Sequence, residues 1–324
     1  MNQTKEKDLN KTLKSQPYQF KIICGLHRSG TTYTGNILSK NSSLTTIHEP
    51  CNPDWGVSEQ IKWYPFMDAE AVDEETAALF DDILNFRCRW SNRPPRRLPL
   101  KSHVMYRAVG GKQGLVWSQL RLKHLIHQLP PAVVWKDPFV TFALGHLLTT
   151  YNAKAVCLIR HPGALWYSNR KLNWPFEIER LRTQSALIEK YGQDIPDKYW
   201  QMATPDSPVC IAILWKLMAR VIAEQAARYE SLLAVRHEDL CLQALETAQK
   251  ICQHLDLTCE PEMIAYITKT TSGKRSESKQ GVAHSFNRDS KQIIDTWRGR
   301  LDTTEETLIR EVIGDDLFKF YETW

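Results

Sequence analysis

Two short segments place basic side chains beside small hydroxyl residues, a combination suited to binding anions. In the first, Lys21–Thr34 (KIICGLHRSGTTYT), an apolar run stops at Gly25, and Arg28 precedes Gly30 and two threonines. A loop of this kind aims backbone N–H groups at an anion where it enters a helix. The spacing of the two glycines begins the P-loop pattern, but Thr31 stands where that pattern requires Lys. Because this Lys neutralises terminal phosphates in NTPases, its absence argues against ordinary phosphoryl transfer.

The second segment follows the apolar run Ala155–Ile159. Arg160 comes directly after this run, and Ser168 lies eight residues further on, beyond His161 and Pro162. A short apolar run of this composition predicts a buried strand, and the Pro favours the start of a helix. The sequence therefore predicts a second anion site, again at the end of a strand.

Both segments resemble motifs of the sulfotransferases that use 3'-phosphoadenosine-5'-phosphosulfate (PAPS). H-R-S-G-T-T is similar to their 5'-phosphosulfate loop, and I-R-H-P-G-A-L-W-Y-S is similar to the motif in which an Arg and a later Ser bind the 3'-phosphate. The resemblance implies PAPS as the donor, adenosine 3',5'-bisphosphate as the product and no requirement for a metal. The residues that it assigns to donor binding are Arg28, Ser29, Gly30, Thr31, Thr32, Arg160 and Ser168.

A finer resemblance is to the carbohydrate 6-O-sulfotransferases and their bacterial relatives. It rests on R-S-G-T-T-Y-T-G-N-I-L with the later I-H-E-P, and on the tail H-S-F-N-R-D-S-K-Q-I-I-D-T-W-R-G-R-L. This branch implies a sugar hydroxyl as the acceptor and adds Arg288, in the tail, to the donor-binding residues. The polar, basic stretch Thr271–Ser290 suits either a flap over the ligand or a plain surface loop.

Sulfuryl transfer needs a base for the proton of the acceptor and cations for the charge that develops on the transferred group. Glu49, at the end of a predicted strand beside the phosphate loop, is the leading base because it matches the Glu of the E-P motif in the carbohydrate branch. His48 is the alternative base, since an imidazole titrates near neutral pH. A structural role for Glu49, holding the following loop by hydrogen bonds, is also open.

Lys136 resembles in position the Lys of a K-T-H segment in the cytosolic sulfotransferases, where it would be a cation near the leaving group. The chain departs from that segment at Pro138, which stands where those enzymes have a catalytic His. A separate K-S-H at Lys101–His103 imitates the segment. His103 is therefore a further candidate for the base, with a structural role in an acceptor loop as the alternative.

The elements that must position these residues alternate strands and helices in one α/β domain. Five apolar runs predict a central parallel sheet in a three-layer architecture similar to that of P-loop NTPases and sulfotransferases. The runs are Phe20–Cys24, Leu44–Ile47, Ala132–Trp135, Ala155–Ile159 and Leu232–Val235. Arg236–Leu240 follows the last run, and its predicted role is structural. Residues 1–17 are polar and aperiodic and predict a flexible arm, so that the domain covers residues 18–324.

Composition narrows the classes of function. The formal net charge is +5 with 42% hydrophobic residues, and no long basic run is present. The composition is therefore that of an ordinary globular protein, and the sequence lacks the clustered basic residues that are typical of nucleic-acid-binding proteins. No apolar segment has the length of a signal peptide core or a membrane span, which predicts a cytoplasmic protein. The sequence leaves the oligomeric state open.

The predicted function is transfer of a sulfuryl group from PAPS to a hydroxyl or amine of a carbohydrate or a small-molecule secondary metabolite. A nucleotide or small-molecule kinase of related fold is one alternative, and the missing P-loop Lys counts against it. A non-catalytic nucleotide-binding protein is the other. The presence of Arg28, Glu49, Lys136, Arg160 and Ser168 counts against that alternative.

Overall fold

The computed structural model describes residues 18–54, 56–57, 62–91, 100–271 and 294–324, with only the backbone of residues 100–102 and 106. Two sequence predictions lie outside the described residues. These are the N-terminal arm over residues 1–17 and the polar stretch of residues 272–290, which includes Arg288. The predicted structure of both segments therefore stays a prediction.

Five strands form one parallel sheet in the order β2-β3-β1-β4-β5, which confirms the predicted α/β architecture. Each strand contains its predicted apolar run and extends it by one residue at one or both ends. The register pairs Phe20 with Val133 and Ile47 with Trp135. The strands are β1 (Gln19–Gly25), β2 (Leu44–His48), β3 (Ala132–Lys136), β4 (Lys154–Ile159) and β5 (Leu232–Arg236).

Helices precede and follow the strands along the chain. None of those in the described residues is both long enough and apolar enough to cross a membrane. The α-helices are α1 (Thr31–Leu38), α2 (Glu74–Leu84), α3 (Leu100–Val109), α4 (Gly111–Leu125), α5 (Leu144–Tyr151), α6 (Pro162–Leu172), α7 (Glu179–Arg182), α8 (Ser185–Tyr191), α9 (Asp197–Met202), α10 (Pro208–Arg228), α11 (His237–Leu242), α12 (Ala244–His254), α13 (Pro261–Thr271) and α14 (Thr303–Ile313). In the part of the chain that the structure describes, 3₁₀ helices cover Pro138–Ala143 and Gly314–Lys319.

Two helical regions lie close in sequence to candidate site residues. Pro138–Ala143 is a 3₁₀ helix, whose start is fixed because the carboxylate of Asp137 accepts a hydrogen bond from Phe139 N (3.0 Å) and Pro138 occupies the first position. The K-S-H segment, predicted as part of an acceptor loop, lies in α3. Pro94, Pro95 and Pro99 stand directly before α3, and such a cluster predicts a loop in this region.

The chain divides into two compact units, Met1–Ile23 with Ser43–Ala155 and Cys24–Ser42 with Val156–Trp324. In the first unit the core is built on β3, whose five residues are all buried. Trp135 of this strand packs edge to face on Phe80, with ring centroids 5.3 Å apart. The buried aromatic pair fixes α2 against the strand.

In the second unit the core is built on α10. Ser207 caps this helix by accepting a hydrogen bond from Cys210 N (3.2 Å), and every residue from Val209 to Ala219 is buried. A helix that is buried all round forms the centre of a core. Trp215, in the middle of the run, donates its indole N–H to the carbonyl of Arg160 (2.8 Å) and so ties α10 to the end of β4.

A buried charge network holds α10 to the C-terminal segment. Asp316 accepts from Arg220 Nε (2.9 Å) and pairs with Lys216 Nζ (3.0 Å), and Arg220 also forms two hydrogen bonds with Asp194 (2.5 and 2.7 Å). Burial alone would raise the pKa of Asp316, but the hydrogen bonds and charges of Lys216 and Arg220 lower it below the usual carboxyl range. The carboxylate is therefore ionised in the folded protein at neutral pH.

Asp316→Asn should lower the free energy of unfolding by about 3 kcal/mol, because it leaves Lys216 and Arg220 without their shared anion. A carboxyl whose pKa is lowered by folding stabilises the protein above its unfolded pKa and loses that contribution as the pH falls. The variant should therefore lose less stability than the wild type on acidification. Urea unfolding at two pH values measures both effects, with the exposed neighbour variant Asp315→Asn as the control. Equal stability of the two variants would contradict the role of the network.

Candidate active site

The first predicted anion site is a tight loop in the second unit. Gly25 ends β1 with φ 123°, and a Cβ at this position would stand 2.0 Å from the carbonyl oxygen of Leu158. Only glycine tolerates both the conformation and the approach. Leu26 N donates to the same oxygen (3.0 Å), as does the hydroxyl of Ser29 (3.1 Å). Ser29 is thus a buried support of the loop, fixing it on β4.

The loop leads into α1 through Gly30, which has no side chain to cap the helix. Gly30 precedes the helix with φ 98°, and Thr34 N donates to Gly30 O (2.9 Å) to start it. Within the described residues, no side chain caps the N-terminus of α1 by a hydrogen bond. The N–H groups of Thr31 and Thr32 therefore begin a helix whose positive end suits an anion.

Two side chains of the second predicted site, those of Arg160 and Ser168, form hydrogen bonds with Arg28 of the loop. The guanidinium of Arg160 donates through Nη1 to the carbonyl of Arg28 (3.1 Å). Arg28, in a left-handed conformation with φ 66°, donates through Nε to the hydroxyl of Ser168 (3.2 Å). The structure therefore brings Arg28, Arg160 and Ser168 into one cluster, whereas the sequence had assigned Arg28 to the other end of the donor.

Arg160 is buried without a complete set of partners. The residue is only 7% exposed, and its Nε has no hydrogen-bond partner in the described residues. Burial lowers the pKa of Arg160, although the nearby Glu238 carboxylate opposes the shift. An Arg keeps its charge in proteins. A buried guanidinium with an unused donor next to a helix N-terminus is a strong candidate for binding a phosphate or sulfate group.

His237 forms a hydrogen bond with the phosphate loop. It was not among the predicted site residues. Its Nδ1 donates to the carbonyl of Ser29 (3.2 Å), and a Cβ on Gly30 would lie only 3.1 Å from that nitrogen. Burial and the charges of Arg160 and Arg28 hold the pKa of His237 well below its usual range. The neutral ring therefore acts as a fixed donor. Its place directly after β5, at the edge where the other site residues follow strands, is the signal that sequence analysis could have used.

The predicted catalytic residues of the first unit form an ion pair. Lys136, at the end of β3 and 1% exposed, donates through Nζ to Oε1 of Glu49. The other carboxylate oxygen of Glu49 accepts from the side-chain amide of Asn52 (2.8 Å). The backbone joins the two strand ends as well, because Glu49 N donates to Lys136 O (2.7 Å). Asn52 was missed by sequence analysis, although the Glu-x-x-Asn spacing in a loop could have suggested it.

The charge state of Glu49 follows from these contacts. Burial would raise its pKa, but the ammonium of Lys136, the neighbouring His48 and the hydrogen bonds from Lys136 and Asn52 together lower it. Glu49 is therefore an ionised carboxylate across the neutral range. Its hydrogen bond to Asn52 also fits the structural role that the sequence left open.

Asp137 is a second buried carboxyl of this unit that sequence analysis did not single out. It is 0% exposed and accepts hydrogen bonds from the backbone N–H groups of Cys51 (2.7 Å) and Phe139 (3.0 Å). Burial and the negative charge of Glu49 outweigh these bonds and raise the pKa of Asp137 to about 7. The two carboxyls thus respond to pH in different ranges, and Asp137 titrates near neutral pH.

The remaining predicted residues have different positions. His48 ends β2, with its Nε2 3.9 Å from Glu49 Oε1, so that it lies beside the ion pair. His103 lies within α3, and Pro138 begins the 3₁₀ turn. Arg288 is outside the described residues. Among the described residues, no group of three or more His, Cys, Asp or Glu could hold a metal ion.

Comparisons with known proteins agree with the motifs. The family model described as "Sulfotransferase family" matches residues 22–261. The comparison with curated protein sequences finds no match.

Several solved structures of sulfotransferases are similar to this chain at low sequence identity. The sulfotransferase domain from the curacin biosynthetic pathway is 16% identical, with 92% of this chain and 98% of that chain covered and a TM-score of 0.48. The sulfotransferase domain from the Synechococcus PCC 7002 olefin synthase is 15% identical, with 92% and 95% covered and a TM-score of 0.44. A sulfotransferase from Mycobacterium avium is 15% identical, with 98% and 80% covered and a TM-score of 0.44.

Glu49→Gln should lower the free energy of unfolding by about 3 kcal/mol, because it leaves the buried ammonium of Lys136 unpaired. The double variant Glu49→Gln/Lys136→Met should recover most of that loss, since it removes both charges. Denaturant unfolding of the single and double variants gives the coupling energy. The exposed pair Asp82 and Arg87 in the same unit is the control, with a coupling below about 1 kcal/mol. Additive losses at Glu49 and Lys136 would mean that the ion pair is not formed.

Proposed function

The chain belongs to the sulfotransferase family, and on that premise we propose that it transfers a sulfuryl group from PAPS to a hydroxyl or amine of a carbohydrate or small-molecule acceptor. The observation that carries the proposal is the buried, incompletely bonded guanidinium of Arg160 beside Arg28 and Ser168. A buried cation of this kind is costly unless it serves an anionic ligand. The donor has anionic groups at two ends, and one of them fits the N-terminus of α1 beside this cluster.

The proposed donor contacts divide between the two ends of the nucleotide. The first turn of α1, with Ser29, Gly30, Thr31 and Thr32, would receive the 5'-phosphosulfate. Arg160 and Ser168 would receive the 3'-phosphate. Arg28 is available to either group, because its backbone contacts Arg160 and its side chain contacts Ser168. We also propose Arg288 as a donor-binding residue on the resemblance alone.

We propose that Glu49 accepts the proton of the acceptor while the acceptor oxygen or nitrogen bonds to sulfur and the bond from sulfur to the phosphate oxygen breaks. An ionised carboxylate has about four lone-pair positions. Lys136 and Asn52 use one on each oxygen, which leaves capacity for a proton. Lys136 supplies positive charge for the bridging oxygen of the leaving bisphosphate. His48 remains the alternative base.

Two classes of acceptor fit the proposal. The resemblance to the carbohydrate branch favours a sugar hydroxyl, and a small secondary metabolite is the other class. A screen of both classes with radiolabelled donor distinguishes them directly. A cytoplasmic location and a single domain over residues 18–324 also stay predictions from the sequence.

Arg160→Met should weaken the binding of adenosine 3',5'-bisphosphate by roughly 10- to 100-fold, the worth of a hydrogen bond to a charged phosphate. The free energy of unfolding should stay level or rise, because the variant removes an incompletely paired buried charge. Calorimetry without magnesium measures the binding, and urea unfolding measures the stability. Arg228→Ala, an exposed Arg on α10, is the control. Binding of ATP with magnesium but not of the bisphosphate would point to the kinase alternative instead.

Turnover by the wild type should rise with pH along an acidic limb that lies below the usual carboxyl range, because the pKa of Glu49 is lowered. The limb should be absent in Glu49→Gln, with turnover reduced about 100-fold or more and bisphosphate binding retained. The double variant with Lys136→Met should regain stability but not turnover. A limb near about pH 6.5 that disappears in His48→Gln would assign the base role to His48.

A further inference from the structure

The outer face of α4 carries aliphatic side chains that are exposed to solvent. Its inner face is buried, with Trp117 packed on Phe86 and Trp90 at centroid distances of 5.1 and 5.5 Å. On the other side, Leu115 is 45% exposed and Leu122 is 59% exposed. Ile126, at the end of the helix, is 49% exposed. These three residues are spaced seven and four apart, so that they form one stripe along the helix.

Basic residues border this stripe. Lys112 precedes Leu115 by three residues and Lys123 precedes Ile126 by three, the spacing of neighbours on a helix surface. Both lysines are exposed, as is Arg121 between them. The sequence contains no Asp or Glu between Asp82 and Asp137, whereas Lys and Arg recur throughout that span. No acidic residue of the span therefore offsets the positive charge that accompanies the apolar stripe.

We propose that the outer face of α4 binds the surface of an anionic lipid bilayer. Leu115, Leu122 and Ile126 would enter the boundary between headgroups and acyl chains, and the bordering lysines would attract the lipid headgroups. A helix with an aliphatic face bordered by Lys and Arg suits an interfacial position of this kind. The proposal does not depend on the proposed function, because it uses no residue of the candidate active site.

Other occupants of the face fit the observations less well. A second copy of the chain would bring Lys112, Arg121 and Lys123 against their own equivalents, and like charges oppose that contact. Protein interfaces concentrate binding energy in Trp, Tyr and Arg, whereas the exposed apolar residues of this face are Leu and Ile. A nucleic acid would pair with the basic residues but would leave the aliphatic stripe in water.

The test is sedimentation of the full chain with vesicles of phosphatidylcholine alone or mixed with phosphatidylglycerol. The wild type should bind the anionic vesicles, bind the neutral ones weakly, and lose binding as the salt concentration rises. Leu122→Glu should weaken the partition by about tenfold or more, because it removes an inserted side chain and adds a repelled charge. Leu245→Glu, the same change at an exposed position of α12, is the matched control. Unfolding curves and bisphosphate binding should be unchanged in both variants.

Each other result overturns the proposal. One such result is that the wild type does not bind anionic vesicles at low salt. The others are that Leu122→Glu binds as well as Leu245→Glu, or that the wild type binds neutral vesicles as well as anionic ones. Sedimentation velocity without lipid adds one more outcome. Self-association of the wild type that Leu122→Glu abolishes would assign the face to a second copy of the chain.

Discussion

The buried guanidinium of Arg160 is the constraint on which the candidate donor site depends. Removing a charge from water costs several kcal/mol unless hydrogen bonds and opposite charges replace the solvent. Here the replacement is partial, since Nη1 reaches the carbonyl of Arg28 while Nε has no partner in the described residues. The packing of the rest of the unit must offset that cost. The buried helix α10 contributes to this packing, because the indole N–H of Trp215 donates to the carbonyl of Arg160 and fixes the backbone of that residue.

Residues from the C-terminal part of the chain also fix the end of β4. Glu238 accepts the N–H of His161 (3.0 Å) with one carboxylate oxygen and the hydroxyl of Tyr321 (2.8 Å) with the other. The ring of His161 stacks on Trp297, with centroids 4.6 Å apart. Glu238 therefore positions the strand end by hydrogen bonds and supplies negative charge near Arg160. These contacts keep the guanidinium of Arg160 oriented before a ligand binds, which is the condition for electrostatic preorganisation.

Sequence patterns predicted the sheet well because its strands are short apolar runs that end at turns or helix starts. The loop at Gly25 was also recognisable, since only glycine permits the approach to β4. The contacts between side chains were not. Neither the bond from Arg28 to Ser168 nor the support of the loop by His237 can be read from spacing, because each joins residues more than a hundred positions apart. Helix α3 was missed because the prolines directly before it predict a loop.

Two of the buried cations in the described residues, Arg160 and Lys136, differ in what neutralises them. Arg160 has an unused donor at Nε, with the carboxylate of Glu238 nearby, and its charge is available to an anion at any pH. Lys136 is bonded to the ionised carboxylate of Glu49, which holds the ammonium and is held by it. In the proposed reaction, proton transfer to Glu49 removes that negative charge and releases the attraction on Lys136. The cation then becomes available to the leaving oxygen at the moment when negative charge develops there, so that one ion pair couples the acceptance of a proton to the departure of the leaving group.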